Sequence, residues 1–368
     1  MESRRAIRTL VIDDSAFSRQ TITRMLDRSP LVEVVGVARD GEDALHKTLE
    51  LEPDLITLDL EMPRMDGFTF LRLVMARRPT PVIVVSGRTE EEDVFKALDL
   101  GAVDFVAKPT TRATPALQSI EEALIRKVHA LRDLRIDKVS ERIQAPPPSL
   151  VRNVGGSDAA AGGPACDAPM VVIGSSTGGP AALMQTFSAF TEPPPCSICV
   201  AQHMPRGFTR GFAERLDRLT PFRVREAENG DEPAPGTVLI APGGHHLELE
   251  TLGSATRAVV VADDAGERFT PSVDRLFRSA AKRFGEALLA VVLTGMGDDG
   301  REGARQVKAA GGRVFAESEE TALIFGMPKQ VINAGAADRI LALSEIPVAL
   351  QKEVEALRVR KAMGRGRG

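Results

Sequence analysis

The chain has no tryptophan and no tyrosine, and its 15 phenylalanines are the only aromatic residues. Any mechanism that needs a phenol or an indole is therefore excluded. Cysteine is scarce: three in 368 residues, an odd number that argues against a disulfide framework and fits a reducing cytoplasm. No apolar run approaches the roughly 18–20 residues of a membrane span. The opening Met1-Glu-Ser-Arg-Arg has no signal-peptide core. Positive charge is not in excess either, since 47 basic residues face 51 acidic ones for a net charge of −4. No nucleic-acid partner is expected from that balance, and no basic helix-turn-helix is found.

What is present is an average globular composition, 43% hydrophobic and 27% charged, over a length that suits two domains. Strand-like and helix-like segments alternate through residues 1–125. Arg8–Ile12, Val32–Val37, Asp54–Leu58, Pro81–Val85 and Val103–Val106 read as strands, with helical periodicity between them. Five such units predict an α/β fold, a doubly wound five-stranded parallel sheet with function at the strands' carboxyl ends. Residues 126–168 read as a helix end and a Pro/Gly/Ala-rich linker. Residues 169–357 read as a second α/β domain of hydrolase type with a mainly parallel sheet, and residues 358–368 as a frayed, solvated basic Gly/Arg tail.

In the first domain, Asp13 and Asp14 follow the first strand, Asp59 ends the third, Ser86 the fourth and Lys108 the fifth. Strand ends on one edge of a parallel sheet bring these groups together. Clustered carboxylates repel one another unless a cation sits among them, and Mg²⁺ suits such a pocket. One carboxylate can then attack a phosphoryl group while Lys108 neutralises charge. The segments Val-Ile-Asp13-Asp14-Ser, Leu-Asp59-Leu-Glu-Met-Pro-Arg-Met-Asp66-Gly67, Val-Ser86 and Ala-Lys108-Pro109 resemble a response-regulator receiver domain. The resemblance implies that Asp59 is the phosphoacceptor. It implies Mg²⁺ bound by Asp14, Asp59 and the main-chain carbonyl of Glu61, with Asp13 assisting. Lys108, Ser86 and Phe105 would carry the switch. Because Phe105 stands where many receivers carry Tyr, only burial of a ring is left to that relay.

The second domain opens with a strand ending in Gly174-Ser-Ser176-Thr-Gly178-Gly179-Pro180, a G-x-S-x-G pattern at a strand-to-helix turn. A serine there lies near free backbone N–H groups suited to an oxyanion, although a phosphate-binding turn has the same look. Its base must be one of five histidines. His203 closes the next strand, with His245 and His246 as rivals. The orienting acid is expected in Thr294-Gly-Met296-Gly-Asp298-Asp299-Gly, where Asp299 could equally cap the following helix with Glu302; Asp274 is a weaker candidate. Cys196-Ser-Ile-Cys199 precedes His203 at half-site spacing for a metal, but reads better as two small buried strand residues.

These segments, with Gln-His203-Met-Pro-Arg-Gly-Phe-Thr and Pro271-Ser-Val-Asp, resemble the CheB-type chemotaxis methylesterases, across nearly the whole chain. The resemblance implies a cytoplasmic enzyme that hydrolyses glutamyl methyl esters on methyl-accepting chemoreceptors and deamidates selected glutamines. Ser176 would be the nucleophile, His203 the base, Asp299 its orienter and the Met296 N–H an oxyanion donor, with no cofactor for ester hydrolysis. A histidine kinase would be the phosphodonor, and the unphosphorylated receiver would cover the cleft. The sequence departs from the family at Ser175, Asp298 and Phe269-Thr270, and Asp298 is expected to add negative charge beside His203.

Overall fold

Short runs rich in Val, Ile and Leu build the strands, and most are buried on both faces, as parallel strands covered by helices must be. The computed structural model describes residues 5–86, 91–108, 114–131, 134, 168–253, 255–263 and 267–365. The chain divides into two compact units, Met1–Pro146 and Pro147–Gly368. The segment read as a linker lies outside the described residues from 135 to 167.

Unit one runs β1 (Ile7–Ile12), α1 (Ala16–Leu26), β2 (Val32–Ala38), α2 (Gly41–Leu51), β3 (Leu55–Leu58), α3 (Gly67–Arg77), β4 (Val82–Ser86), α4 (Glu91–Asp99), β5 (Asp104–Ala107) and α5 (Thr114–Ala130). The sheet order is β2-β1-β3-β4-β5, with every pair parallel. Three helices start on side-chain caps: Ser15, Asp40 and Asp66 accept from the N–H groups of Ser18, Asp43 and Thr69. Such a cap contributes about 1 kcal/mol and sets where the helix leaves the loop. All five sequence-expected strands are present, and their carboxyl ends share one edge.

Unit two contains β6 (Met170–Ser175), α6 (Gly179–Ser188), β7 (Ser197–Gln202), α7 (Thr209–Leu219), β8 (Arg223–Glu226), β9 (Thr237–Ile240), β10 (His245–Leu252) and β11 (Ala255–Ala262). It continues with α8 (Val273–Phe284), β12 (Leu288–Val292), α9 (Arg301–Ala309), β13 (Arg313–Glu317), α10 (Met327–Asn333), β14 (Arg339–Leu341) and α11 (Ile346–Arg365). Seven strands form a parallel sheet in the order β14-β13-β12-β6-β7-β9-β8. The first strand, β6, sits in the middle, because the chain winds outward through β7 and later returns to β12 on its other side. Ligands collect at such a reversal, where two loops part at the carboxyl ends.

β10 and β11 stand apart from the main sheet as an antiparallel hairpin. One sequence expectation changes. The stretch expected to be a frayed tail is helical as far as Arg365, carried on from the α11 turns that bury Leu350, Val354 and Leu357. The core of unit two packs α8 residues Val273, Leu276 and Phe277 against strand residues such as Val172, Ala290 and Val292. Each large apolar side chain so buried stabilises the fold by about 1.5–3 kcal/mol.

Candidate active site

In unit two, β6 and β7 run in parallel with Ser175 opposite Gln202, so the residues that follow them, Ser176 and His203, leave adjacent strand ends. The His203 N–H donates to Ser175 O at 3.0 Å. Gln202, buried at the end of β7, ties the two turns together. Its Nε2 donates to Ser176 O at 2.9 Å and His203 O at 3.0 Å, and its Oε1 accepts from Ser175 Oγ at 2.7 Å. The turn after Ser176 needs its glycines. Gly178 has φ +77°, and a Cβ on Gly179 would collide with Gln202 Oε1 and lie 2.8 Å from Ser175 Cβ.

The third strand end, that of β12, closes on the same place. Thr294 O accepts the Ser176 N–H at 3.0 Å, and Thr294 Oγ1 donates to Thr177 O at 3.0 Å. The Thr294 N–H is held in turn by the fully buried Glu317 carboxylate, 2.7 Å away at the end of β13. Met296 lies two residues further on, and its N–H has no acceptor among the described residues.

Asp299 is 5% exposed and sits 2.8 Å from His203 Nε2. Its two oxygens also accept from the N–H groups of Val273 (2.7 Å) and Asp274 (2.8 Å) and from Ser272 Oγ (3.2 Å). Asp299 thus faces the amino end of α8, and does not cap its own helix; α9 starts on Gly300 with no side-chain cap. Burial alone would raise the Asp299 pKa, but the His203 hydrogen bond and charge and the two N–H donors outweigh it and hold the carboxyl below its ordinary value. With Nε2 turned to Asp299, Nδ1 is the nitrogen left to take a proton. Both His203 Nδ1 and Ser176 Oγ are buried without a hydrogen-bond partner among the described residues.

The rival groups lie elsewhere. His246 is fully buried, its Nδ1 accepting from the Ser272 N–H at 3.1 Å and its Nε2 3.6 Å from Asp263, and so it props the loop before α8. His245 meets Arg206 at 3.4 Å. Asp274 accepts the Gly300 and Gly303 N–H groups on one oxygen, at 3.0 and 2.6 Å, and so pins α9 to α8. Burial first, then the nearby Asp299 charge, push its pKa up to about 6. Asp298 meets Arg268 at 3.5 Å and Arg301 at 4.0 Å, so its charge is balanced by arginines. Cys196 and Cys199 are buried at β7, which pushes their thiols up to about 12.

Phe269 stacks on His203, with ring centroids 4.8 Å apart and planes 6° from parallel, and the Arg268 guanidinium lies 4.9 Å from the Phe269 centroid. Sequence reading noted Phe269 only as a departure and passed over Gln202, Thr294 and Glu317. The one available signal was position, since Gln202 and Glu317 are polar residues that close the apolar runs Ile198–Ala201 and Val314–Ala316.

In unit one, Asp13, Asp14 and Asp59 converge, with one oxygen from each lying within 4.8 Å of the others. Asp13 and Asp59 are buried, and Lys108 Nζ bridges them at 3.1 and 2.6 Å. Burial first and then the Asp13 charge push the Asp59 pKa to about 6, while burial raises that of Asp13. Burial by itself would lower the Lys108 pKa, but the Asp59 and Asp13 carboxylates outweigh it and hold it raised. Three carboxylates against one ammonium fit a hard divalent cation such as Mg²⁺. Glu61 lines the same cleft of about 600 Å³ with Asp14, Asp59 and Lys108. Ser86 ends β4 beside Ala107, and its side chain lies outside the described residues. The Phe105 ring is 2% exposed, 5.9 Å from Lys127 Nζ, and Lys127 pairs with Asp104 at 2.6 Å.

The CheB methylesterase family model matches residues 171–350, and the response regulator receiver domain model matches residues 9–117. A protein-glutamate methylesterase/protein-glutamine glutaminase of Geobacter sulfurreducens is 49% identical over 93% of this chain and 96% of its own length. One of Anaeromyxobacter dehalogenans is 48% identical over 94% and 95%. The solved catalytic domain of the Thermotoga maritima CheB methylesterase is 44% identical and covers 50% of this chain and 98% of its own, with a TM-score of 0.49.

Proposed function

This chain belongs to the CheB methylesterase family, and from that premise we propose that it is a phosphorylation-activated serine hydrolase acting on glutamyl methyl esters, and on selected glutamines, of chemoreceptors. The observation that carries the reading is the pair of unpartnered buried atoms, Ser176 Oγ and His203 Nδ1, beside a His203–Asp299 contact of 2.8 Å. Ser176 Oγ attacks the ester carbonyl carbon and its proton passes to His203 Nδ1. The tetrahedral oxyanion takes a hydrogen bond from the Met296 N–H. The C–OCH₃ bond then breaks, the imidazolium proton leaves with methoxide as methanol, and an acyl-serine remains. Water adds to the acyl carbon, gives its proton to His203 and releases the glutamate side chain as Ser176 recovers its proton. A glutamine substrate follows the same steps with ammonia as the leaving group. Asp299 holds the imidazole and stabilises its charged form.

On the receiver, the Asp59 carboxylate attacks the phosphoryl group passed from a histidine kinase, and Lys108 balances charge on the oxygens. A Mg²⁺ ion held by Asp13, Asp14, Asp59 and the Glu61 carbonyl would neutralise the charge of the phosphoryl oxygens. Phosphorylation then shifts the balance toward an accessible Ser176, with Ser86 and Phe105 as the switch residues. The reducing cytoplasm is the compartment we assign. Among the described residues, no helix is long and apolar enough to cross a membrane.

The test is methanol release from methylated receptor, with and without a small phosphodonor. Ser176→Ala should lose on the order of 10⁴-fold or more in kcat. Asp59→Ala should keep basal turnover and ignore the phosphodonor. Full activity in Ser176→Ala would remove the nucleophile, and a phosphodonor response in Asp59→Ala would remove the phosphoacceptor.

A further inference from the structure

Although the chain as a whole carries a net charge of −4, two packed helices beside the triad are strongly basic. Helix α8 bears Arg275, Arg278, Lys282 and Arg283 against a single acid, Asp274. Helix α9 bears Arg301, Arg305 and Lys308 against Glu302. The amino end of α8 touches Asp299, so this basic surface begins at the catalytic acid.

Most of these cations are already engaged. Arg275 pairs with Glu248 at 2.6 Å and Glu267 at 3.1 Å, and Arg283 donates to Thr256 at 2.9 Å. Arg301 pairs with Glu302 at 3.1 Å and Lys308 with Asp338 at 2.5 Å. Arg278 and Lys282 differ: both are exposed and neither has a hydrogen bond or close ion pair among the described residues. They stand one turn apart on one face, where like charges cost the helix a few tenths of a kcal/mol. Lys282 recovers part of that from the helix dipole near the carboxyl end, but Arg278, in mid-helix, does not. Arg305 on α9 is 62% exposed and only 3.7 Å from its nearest carboxylate, one that Arg301 already holds.

Arg278 lines a cleft of about 470 Å³ whose wall includes Phe269, Ser272 and Asp299. Carboxylates line this cleft too, but they are committed. Asp299 meets His203, Glu248 and Glu267 meet Arg275, Asp298 meets Arg268, and Asp274 holds two backbone N–H groups. Five carboxylates face four arginines in this cleft, and Arg278 is the one of the four with no carboxylate within ion-pair distance among the described residues, although its charge acts on Asp274.

Resting on the methylesterase reading, we infer that Arg278, Lys282 and Arg305 form a docking ridge for an acidic segment of the substrate, carrying carboxylates within one or two helical turns of the methyl ester. Arg278 to Lys282 spans about 6 Å along α8, close to one turn, which matches carboxylates spaced three or four residues apart on a substrate helix. Exposed cations of this kind act through encounter and orientation, and salt screens them over about 8–10 Å. They set kcat/KM for a charged substrate and leave the chemical step alone.

The experiment uses the full chain with phosphodonor and two glutamyl methyl ester peptides, one flanked by glutamates and one by glutamines. Arg278→Gln/Lys282→Gln/Arg305→Gln should lose roughly tenfold in kcat/KM on the acidic peptide and nothing on the neutral one. The wild-type preference for the acidic peptide should fade as salt rises. Arg278→Glu/Lys282→Glu should reverse the preference toward a lysine-flanked peptide. Equal rates for wild type and variant on the acidic peptide, or equal loss on both, would overturn the ridge. A rise on both peptides when phosphodonor is withheld would assign the ridge to the chain's own receiver and overturn it as well. A wild type inert on both esters would overturn the esterase reading itself, and this inference with it.

Discussion

His203 is held on three sides: by Asp299 at Nε2, by its own backbone through Gln202, and by the flat face of Phe269. Each contact removes one freedom of the ring, and together they leave Nδ1 as the atom free to act. On the proposed mechanism, the Phe269 face also favours the imidazolium formed during turnover, as an aromatic quadrupole attracts a cation. Phe269→Ala should therefore lower kcat by roughly tenfold with little change in KM, because a misplaced base weakens the transition state and not the ground-state complex. Phe269→Tyr should restore most of the rate and Phe269→Leu should not. Steady-state kinetics on the three variants decides the point, and full activity in Phe269→Leu would reduce Phe269 to packing. The Phe269 stack was not legible in the chain, since Phe269 lies 66 residues from His203 and nothing in its neighbours marks it.

Helices α8 and α9 are joined by carboxylates rather than by apolar contact alone. Asp299, in the loop before α9, accepts N–H groups of α8, and Asp274, in the first turn of α8, accepts those of Gly300 and Gly303. The two acids lie close enough that the Asp299 charge helps raise Asp274 to about 6. A carboxyl whose folded pKa lies above its unfolded value contributes its stability in full below about 3.8, and that contribution is lost as pH rises through about 6. Asp274→Asn keeps an acceptor oxygen for both N–H groups and removes the charge. It should melt roughly 2–6 °C above the wild type at pH 8 and within error of it at pH 4. A melting difference that does not vary with pH would show that Asp274 titrates alike in the folded and unfolded chain and would overturn its raised pKa.

Over the whole molecule, the two units have separate sheets, and the groups proposed for catalysis all come from residues beyond Pro147 while the proposed phosphorylation pocket comes wholly from residues before Pro146. Chemistry and control are thus carried by different cores. A chain cut to residues 147–368 should still release methanol from methylated receptor and should ignore the phosphodonor. Comparing rates with and without phosphodonor for the cut and full chains checks this. A phosphodonor response in the cut chain would mean that the small donor acts on the catalytic unit itself.

The order of strands and helices in the first unit, and the mainly parallel sheet of the second, were written in local patterns: β-branched runs, helix caps, and the glycines of the turn after Ser176. The same patterns put Ser176, His203 and the Asp13, Asp14, Asp59 and Lys108 group at strand ends, because a parallel sheet gathers its carboxyl ends on one edge. Folding decided the rest. It set aside His246, whose Nδ1 accepts the Ser272 N–H, and chose between the two readings that spacing left open for Asp299, making it the partner of His203 and not a cap. It also brought Phe269, Gln202 and Glu317 to the site and left Arg278 and Lys282 without a hydrogen bond or close ion pair among the described residues. Local patterns report the backbone's periodicity, whereas these assignments depend on which side chains meet across dozens of residues, and only the packed sheet and helices fix that.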